Sequence, residues 1–148
     1  MSVLSAEHIQ EYLSAGRATL LPLEVSVQFL AYIESVPRLG PLATTVDWSL
    51  VPNHQSINWF AVSDVQFVAW ARKVGIGRHS KVAVWLTPQE PSIVFDFDFG
   101  LENLDTIIWK SPGVNYVFGV DEEQGKGFTP VFSDFLEVGY GELVRGTF

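Results

Sequence analysis

The chain has 148 residues, no cysteine, 47% hydrophobic residues and a net charge of −8. This length favours one domain with a sizeable core, and the lack of cysteine excludes disulfides and thiolate metal sites. The negative charge disfavours binding to nucleic acid or to anionic membranes. Since no apolar run approaches the roughly 20 residues that span a bilayer and the N-terminus does not look like a secretory signal, we expect a soluble, cytoplasmic protein.

The first half of the chain is predicted to be mainly helical. Apolar residues at spacings of three and four, together with capping residues, predict helices over residues 5–15, 22–35 and 63–75. Residues 37–56 are predicted to form a long connection that packs onto the fold, and ordered connections of this length are often binding elements. Residues 57–62 are predicted to form a short strand.

The second half is predicted to be β-rich. Its clearest strand covers residues 92–99, where phenylalanines point to one face while Asp96 and Asp98 point to the other. The other predicted elements are strands at 81–87, 105–110 and 114–120, a polar turn at 121–127 and a helix at 129–139. This order predicts a single α+β domain over residues 1–148, with a mostly antiparallel sheet of four to six strands packed against helices.

The negative charge is concentrated in the second half. Residues 86–142 contain eleven acidic and two basic residues, a net charge of −9, whereas the rest of the chain has six acidic and seven basic residues. A surface of one sign attracts a partner of the other, so we expect a basic protein partner. Of the five tryptophans, Trp48 and Trp109 are the ones we expect to anchor an interface. The predicted partner-binding residues are Asp96, Asp98, Trp109, Asp121, Glu122 and Glu123.

No catalytic or metal-binding motif stands out in the sequence. The histidines at positions 8, 54 and 79 have no zinc-site spacing, and no serine lies in a Gly-x-Ser-x-Gly frame. We therefore expect a non-enzymatic protein without a metal or cofactor.

Two alternatives remain open. On one strand face, Asp96 and Asp98 would lie about 7 Å apart, as in a carboxylate pair of a small enzyme or small-molecule-binding domain with a pocket against residues 37–56. A solvated sheet face would show the same pattern. The chain could also be a structural subunit that only oligomerises, which predicts a self-complementary apolar patch.

Short motifs in the order of the predicted elements resemble the SUKH superfamily of bacterial toxin-immunity proteins. In that family a leucine-proline pair precedes a helix with a Phe-Leu pair, and a C-terminal helix with a second such pair follows the last strands. The matching pairs and segments here are Leu21-Pro22, Phe29-Leu30, Val120-Asp121 and residues 132–137. The resemblance implies a protein that binds and neutralises a toxin. Toxins that act on nucleic acid tend to have a basic cleft, which an acidic face would cover.

Overall fold

The computed structural model describes residues 6–36, 46–109, 111, 113–125, 127–138 and 143–147. The helices in this part of the chain are α1 (Glu7–Ser14), α2 (Leu23–Ser35), α3 (Asp64–Ala71), α4 (Phe97–Glu102) and α5 (Leu104–Ile108). The strands are β1 (Ala18–Leu20), β2 (Gln55–Asn58), β3 (Lys81–Trp85), β4 (Ile93–Asp96), β5 (Asn115–Glu123), β6 (Gly127–Val138) and β7 (Leu143–Gly146). None of these helices has both the length and the apolar character needed to cross a lipid bilayer.

The strands form one antiparallel sheet in the order β1-β4-β3-β5-β6-β7-β2. The predicted α+β class is therefore confirmed, but the sheet has seven strands rather than four to six. Three strands were missed from the sequence: β6, which was predicted as a helix, and β1 and β7, which have only three and four residues. Such short strands show too little alternation to be recognised.

Both faces of the sheet are covered, so the core has two layers. One face, here called the α3 face, packs against α1, α3, α4 and α5. The other, the α2 face, packs against α2 and the segment Val46–Val51. Within β4, Ile93 and Phe95 point to the α3 face, and Val94 points to the α2 face. This alternation assigns every other strand residue to one of the two layers.

The predicted helices at 22–35 and 63–75 are present, although the second is shorter than predicted. Helix α2 follows Pro22 and buries Val25, Phe29 and Ile33 at intervals of four. Helix α3 begins with a capping box, in which the Ser63 hydroxyl accepts the Gln66 N–H and the Gln66 side chain accepts the Ser63 N–H. It ends at residue 71, and residues 75–78 form a separate 3-10 turn.

The predicted strand at 92–99 is wrong in its second half. The strand ends at Asp96, and α4 begins at the next residue, so Asp98 lies in the first turn of a helix. The predicted strand at 105–110 is also wrong, because residues 104–108 form α5. The physical reason is burial: Leu101 and Leu104 reach the α3-face core only with helical spacing.

The predicted helix at 129–139 is wrong, because these residues belong to the long strand β6. Phe118 pairs with Phe135 while Gly119 pairs with Val131, so three residues of β6, 132–134, have no opposite partner on β5. This bulge places Phe132 and Phe135 in the same layer although they are three residues apart. A spacing of three is typical of a helix, which explains the error.

Residues 37–45 of the predicted long connection lie outside the described residues. Its later part packs down as expected, because Val46 and Trp48 are buried. The predicted strand at 57–62 starts earlier and ends at Asn58. The prediction that Trp48 anchors an interface is wrong: its side chain is 3% exposed.

A buried carboxylate holds this segment on the sheet. Glu137, on β6, accepts hydrogen bonds from the Val46 N–H (2.8 Å), the Trp48 indole N–H (3.0 Å) and the Tyr116 hydroxyl (3.1 Å). Three neutral donors therefore satisfy a side chain that would be costly to bury alone. Glu137 is thus a structural residue of the α2-face core.

Candidate functional site

Most of the predicted interface acids gather at one end of the sheet. Lys81, the first residue of β3, pairs with Asp96 at the end of β4 and with Val120 near the end of β5. The acids that follow on β5 and α4 therefore lie close to Lys81. We call this region the charged end, and its residues are Arg17, Arg72, Arg78, His79, Lys81, Asp96, Asp98, Glu102, Asp121, Glu122 and Asp134.

On the α2 face, the Lys81 ammonium pairs with two of the predicted acids. The Lys81 ammonium forms an ion pair with Asp96 and lies 3.6 Å from a carboxylate oxygen of Glu122. The hydrogen bond with Asp96 raises the pKa of Lys81, although partial burial opposes this. The Asp96 and Glu122 side chains remain 63% and 51% exposed. These acids are therefore open to a partner, but their charge is partly neutralised by the chain itself.

Asp98 lies in the same region, but on a helix rather than on the predicted strand. It does not share a strand face with Asp96, since it lies on α4, and its carboxylate binds the Arg72 guanidinium at 2.8 Å. The two aspartates nevertheless line one open groove of about 410 Å³. The groove residues are Arg17, Arg72, Ser80, Asp96, Phe97, Asp98, Phe99 and Glu102.

The two arginines of the groove lie over aromatic rings. The Arg72 guanidinium is 3.7 Å from the centre of the Phe97 ring, and that of Arg17 is 3.9 Å from the centre of the Phe99 ring. Cation–π contacts of this kind fix the positions of the guanidinium groups. The groove thus presents both signs of charge on a rigid support, which suits recognition of a mixed-charge surface.

A buried histidine forms a second cluster at the charged end. The His79 side chain is 7% exposed, and its ring nitrogens lie 2.7 Å from carboxylate oxygens of Asp121 and Asp134. Arg78 donates to the other oxygen of Asp134 at 3.0 Å. We call these four residues the histidine clamp. It joins the 3-10 turn before β3 to both β5 and β6.

The histidine clamp favours a charged imidazole. Burial by itself lowers the pKa of His79, but the hydrogen bonds with Asp121 and Asp134 outweigh it and raise the pKa above its ordinary value. When it is protonated, the ring donates through both nitrogens, so neither can accept a proton from a substrate. The geometry therefore fits a structural, pH-dependent link rather than a general base.

The clamp depends on two glycines and on the bulge in β6. A β-carbon on Gly119 would lie 2.2 Å from a ring carbon of His79, and one on Gly75 would lie 2.7 Å from a carboxylate oxygen of Asp134. The bulge aims Asp134 at the ring, as bulges near functional sites often do. Sequence reasoning missed this cluster because its partners are 42 and 55 residues from His79. No local spacing signals such a contact.

The other predicted acids divide between the two sheet faces. Asp121 bonds with His79 on the α3 face, whereas Glu122 points to Lys81 on the α2 face. By strand alternation, Glu123 lies on the same side as Asp121. The acidic residues predicted from β5 therefore do not form one continuous surface.

Trp109 is the most exposed tryptophan of the described chain, with 73% of its surface accessible. It follows α5, which carries the chain from the charged end back towards the start of β5. Asp105 precedes it by four residues, a spacing that puts the two on one side of α5. Glu102, which ends α4 just before the turn at residue 103, is also exposed. We call these three residues the α4–α5 face. Within the described ranges, no cation lies within ion-pair distance of Glu102 or Asp105.

Neither a scan against protein-family models nor a search of curated proteins finds a match. Within the described part of the chain, no group of three or more histidine, aspartate or glutamate side chains is arranged to hold a metal ion.

Proposed function

We propose that this chain is a non-enzymatic immunity or inhibitor protein that binds a basic toxin domain. The observation that carries the proposal is the exposure of Trp109 beside carboxylates that no described cation neutralises. Tryptophan is enriched at the energetic centres of protein interfaces, and acidic neighbours select a basic partner. The net charge of −8 also attracts a positively charged partner at long range.

Burial of Trp109 in a partner supplies much of the binding energy. A tryptophan buries about 150–250 Å² of surface, so covering the exposed part of the ring gains on the order of 3–4 kcal/mol before ordering costs. The surrounding acids contribute mainly to the association rate and to the choice of partner.

The charged end has a secondary role in this proposal. Lys81 and Arg72 already pair with Asp96, Asp98 and Glu122, so a basic partner has to replace existing ion pairs there. Such an exchange of exposed pairs gains little free energy. It does make the surface selective, because a partner must match both signs of charge.

Enzymatic use of Asp96 and Asp98 is less well supported. Both side chains are more than 60% exposed, and each is paired with a cation. Carboxylates that act in acid–base chemistry are usually shielded from water, which shifts their titration towards the working pH. Exposure and pairing instead favour a role at a surface.

The proposal is tested by affinity capture at low salt and by co-expression. Wild-type protein should retain a basic protein and suppress the toxicity of the toxin domain encoded by a neighbouring reading frame. Trp109→Ala and Asp105→Lys should each weaken capture at least tenfold. Phe60→Ala is the matched control for an exposed aromatic residue, because Phe60 is 71% exposed and lies elsewhere on the surface. Glu11→Lys is the control for charge.

Equal capture by wild type, Trp109→Ala and Asp105→Lys would contradict the proposal. So would a captured partner whose net charge is negative, or an association rate that does not fall as salt is added.

A further inference from the structure

A cavity of about 390 Å³ lies on the α2 face, between α2 and the end of the sheet opposite the charged end. Its sheet side is formed where Trp85 pairs with Tyr116 across β3 and β5. Helix α2 closes the other side with Leu30 and Ile33. The volume is within the range of about 300–1,000 Å³ that is typical of small-molecule sites.

The hydrogen-bond donors of Trp85 and Tyr116 are already used within the protein. The Trp85 indole N–H donates to the Ser26 carbonyl oxygen at 2.9 Å, and the Tyr116 hydroxyl donates to Glu137 at 3.1 Å. Both polar ends are therefore directed into the protein. Only 7% of the Trp85 surface and 3% of the Tyr116 surface stay accessible, so these residues contribute a small area to the cavity.

The described lining of the cavity carries no charge, because none of the eleven lining residues that the structure describes is acidic or basic. The rings of Phe29, Trp85 and Tyr116 are 5.5–5.8 Å apart between centroids, which is direct contact. Their planes are tilted by 51–65° to one another, and the rings leave no space between them for a cation, unlike the aromatic cages that bind quaternary ammonium groups.

Thr87 and Gln89 add uncharged polar side chains to the described lining. The Thr87 hydroxyl accepts a hydrogen bond from the Gln89 N–H at 3.2 Å, and both residues line the cavity. Gly113, with a φ of 81°, is a further lining residue and leaves its part of the wall without a side chain. A ligand can therefore place an apolar body inside and one uncharged polar group beside Thr87 or Gln89.

We propose that this cavity binds a neutral, largely apolar molecule of one or two rings. Its apolar body packs against Leu30, Ile33 and the accessible part of Trp85, and at most one uncharged polar group reaches Thr87 or Gln89. A charged ligand is disfavoured because no lining residue in the described part of the chain compensates the cost of removing the charge from water. The cavity lies on the α2 face, whereas α4 and α5 pack on the α3 face, so the site does not rest on the proposed inhibitor function.

The test uses the neutral dye N-phenyl-1-naphthylamine, whose fluorescence rises in apolar surroundings. Wild type should bind it saturably at one site. Leu30→Trp, which fills the cavity from α2, should weaken binding at least tenfold. Val27→Trp is the matched control, since Val27 lies on the same helix, is 52% exposed and does not line the cavity. The anionic dye 8-anilinonaphthalene-1-sulfonate should bind at least tenfold more weakly than the neutral dye.

A second measurement does not depend on the folding of a variant. The Trp85 indole N–H signal in a ¹H–¹⁵N spectrum, assigned with Trp85→Phe, should shift as the neutral dye is added. Unsaturable binding, equal affinity of the two tryptophan variants, or an unshifted Trp85 signal at saturation would overturn the proposal. The Trp85 signal would also stay unshifted if the cavity accepts only a side chain of a partner protein and not the dye. That result too would overturn the proposal.

Discussion

Replacing Asp134 by asparagine should destabilise the fold more at pH 5.5 than at pH 9. The pKa of His79 is raised in the folded protein, so the clamp contributes its full stability below the ordinary histidine pKa of about 6.5. That contribution is lost as the pH rises through the folded pKa. Asparagine keeps the shape of Asp134 but removes the charge that both His79 and Arg78 contact.

The expected loss of stability follows from the two hydrogen bonds that the Asp134 carboxylate makes, with His79 and with Arg78. At pH 5.5 the bond from buried His79 to Asp134 is worth about 1.5–3 kcal/mol, as is usual for a charged group. The exposed Arg78 pair adds about 0.5 kcal/mol. Asp134→Asn should therefore cost about 2–3.5 kcal/mol at pH 5.5. At pH 9 the neutral ring can still donate to the amide oxygen, so the cost should fall to about 0.5–1 kcal/mol.

Urea unfolding at both pH values measures this difference. The matched control is Asp98→Asn, because Asp98 pairs with Arg72 but its side chain is 61% exposed. It should cost less than about 1 kcal/mol at either pH. A cost for Asp134→Asn that is equal at the two pH values, or larger at pH 9, would refute the reasoning.

Three further substitutions probe the structure. Gly119→Ala should lower the free energy of unfolding by about 2 kcal/mol or more, because the new β-carbon displaces the His79 ring, and an unchanged melting temperature would contradict this. Glu137→Gln should cost about 1–3 kcal/mol in urea unfolding, since its amide nitrogen faces a hydrogen-bond donor, and a cost near zero would show that the three bonds to Glu137 are weak. Trp109→Ala should change stability by less than about 0.5 kcal/mol, whereas a large loss would assign Trp109 to the fold rather than to a surface.

The parts of the fold that could be predicted are those in which local and tertiary signals agree. Helix α2 has a proline at its start and apolar residues at intervals of four, and α3 has a capping box. In both helices the spacing that favours the helix also buries the side chains. Strand β3 likewise has a short apolar run with two valines, and residues 82–85 are buried on both faces.

The wrong predictions lie where the spacing of the apolar residues fits both a strand and a helix. Residues 95–99 alternate like a strand, yet the helical series of Phe97, Leu101 and Leu104 is the one that the core uses. In β6, the bulge gives Phe132 and Phe135 the spacing of a helix inside a strand. Bulges depend on pairing with a distant strand, so sequence periodicity alone does not reveal them.

The concentration of acids in one half of the sequence did not translate into one acidic surface. Arg72, Arg78 and Lys81 come from the part of the chain that carries few acids, and folding brings all three against carboxylates of the second half. Charge segregation along a chain therefore predicts net charge but not its spatial distribution. The predicted exposure of Trp109 is confirmed, and the signal for it in the sequence was its position beside a turn in the acidic half of the chain.

The most direct measurement is hydrogen–deuterium exchange of this protein with and without the basic protein that it captures at low salt. Binding through the α4–α5 face should slow exchange most strongly in residues 97–109, around Glu102, Asp105 and Trp109. Protection confined to α1 or to the edge strand β2, with no change in residues 97–109, would contradict the proposed interface.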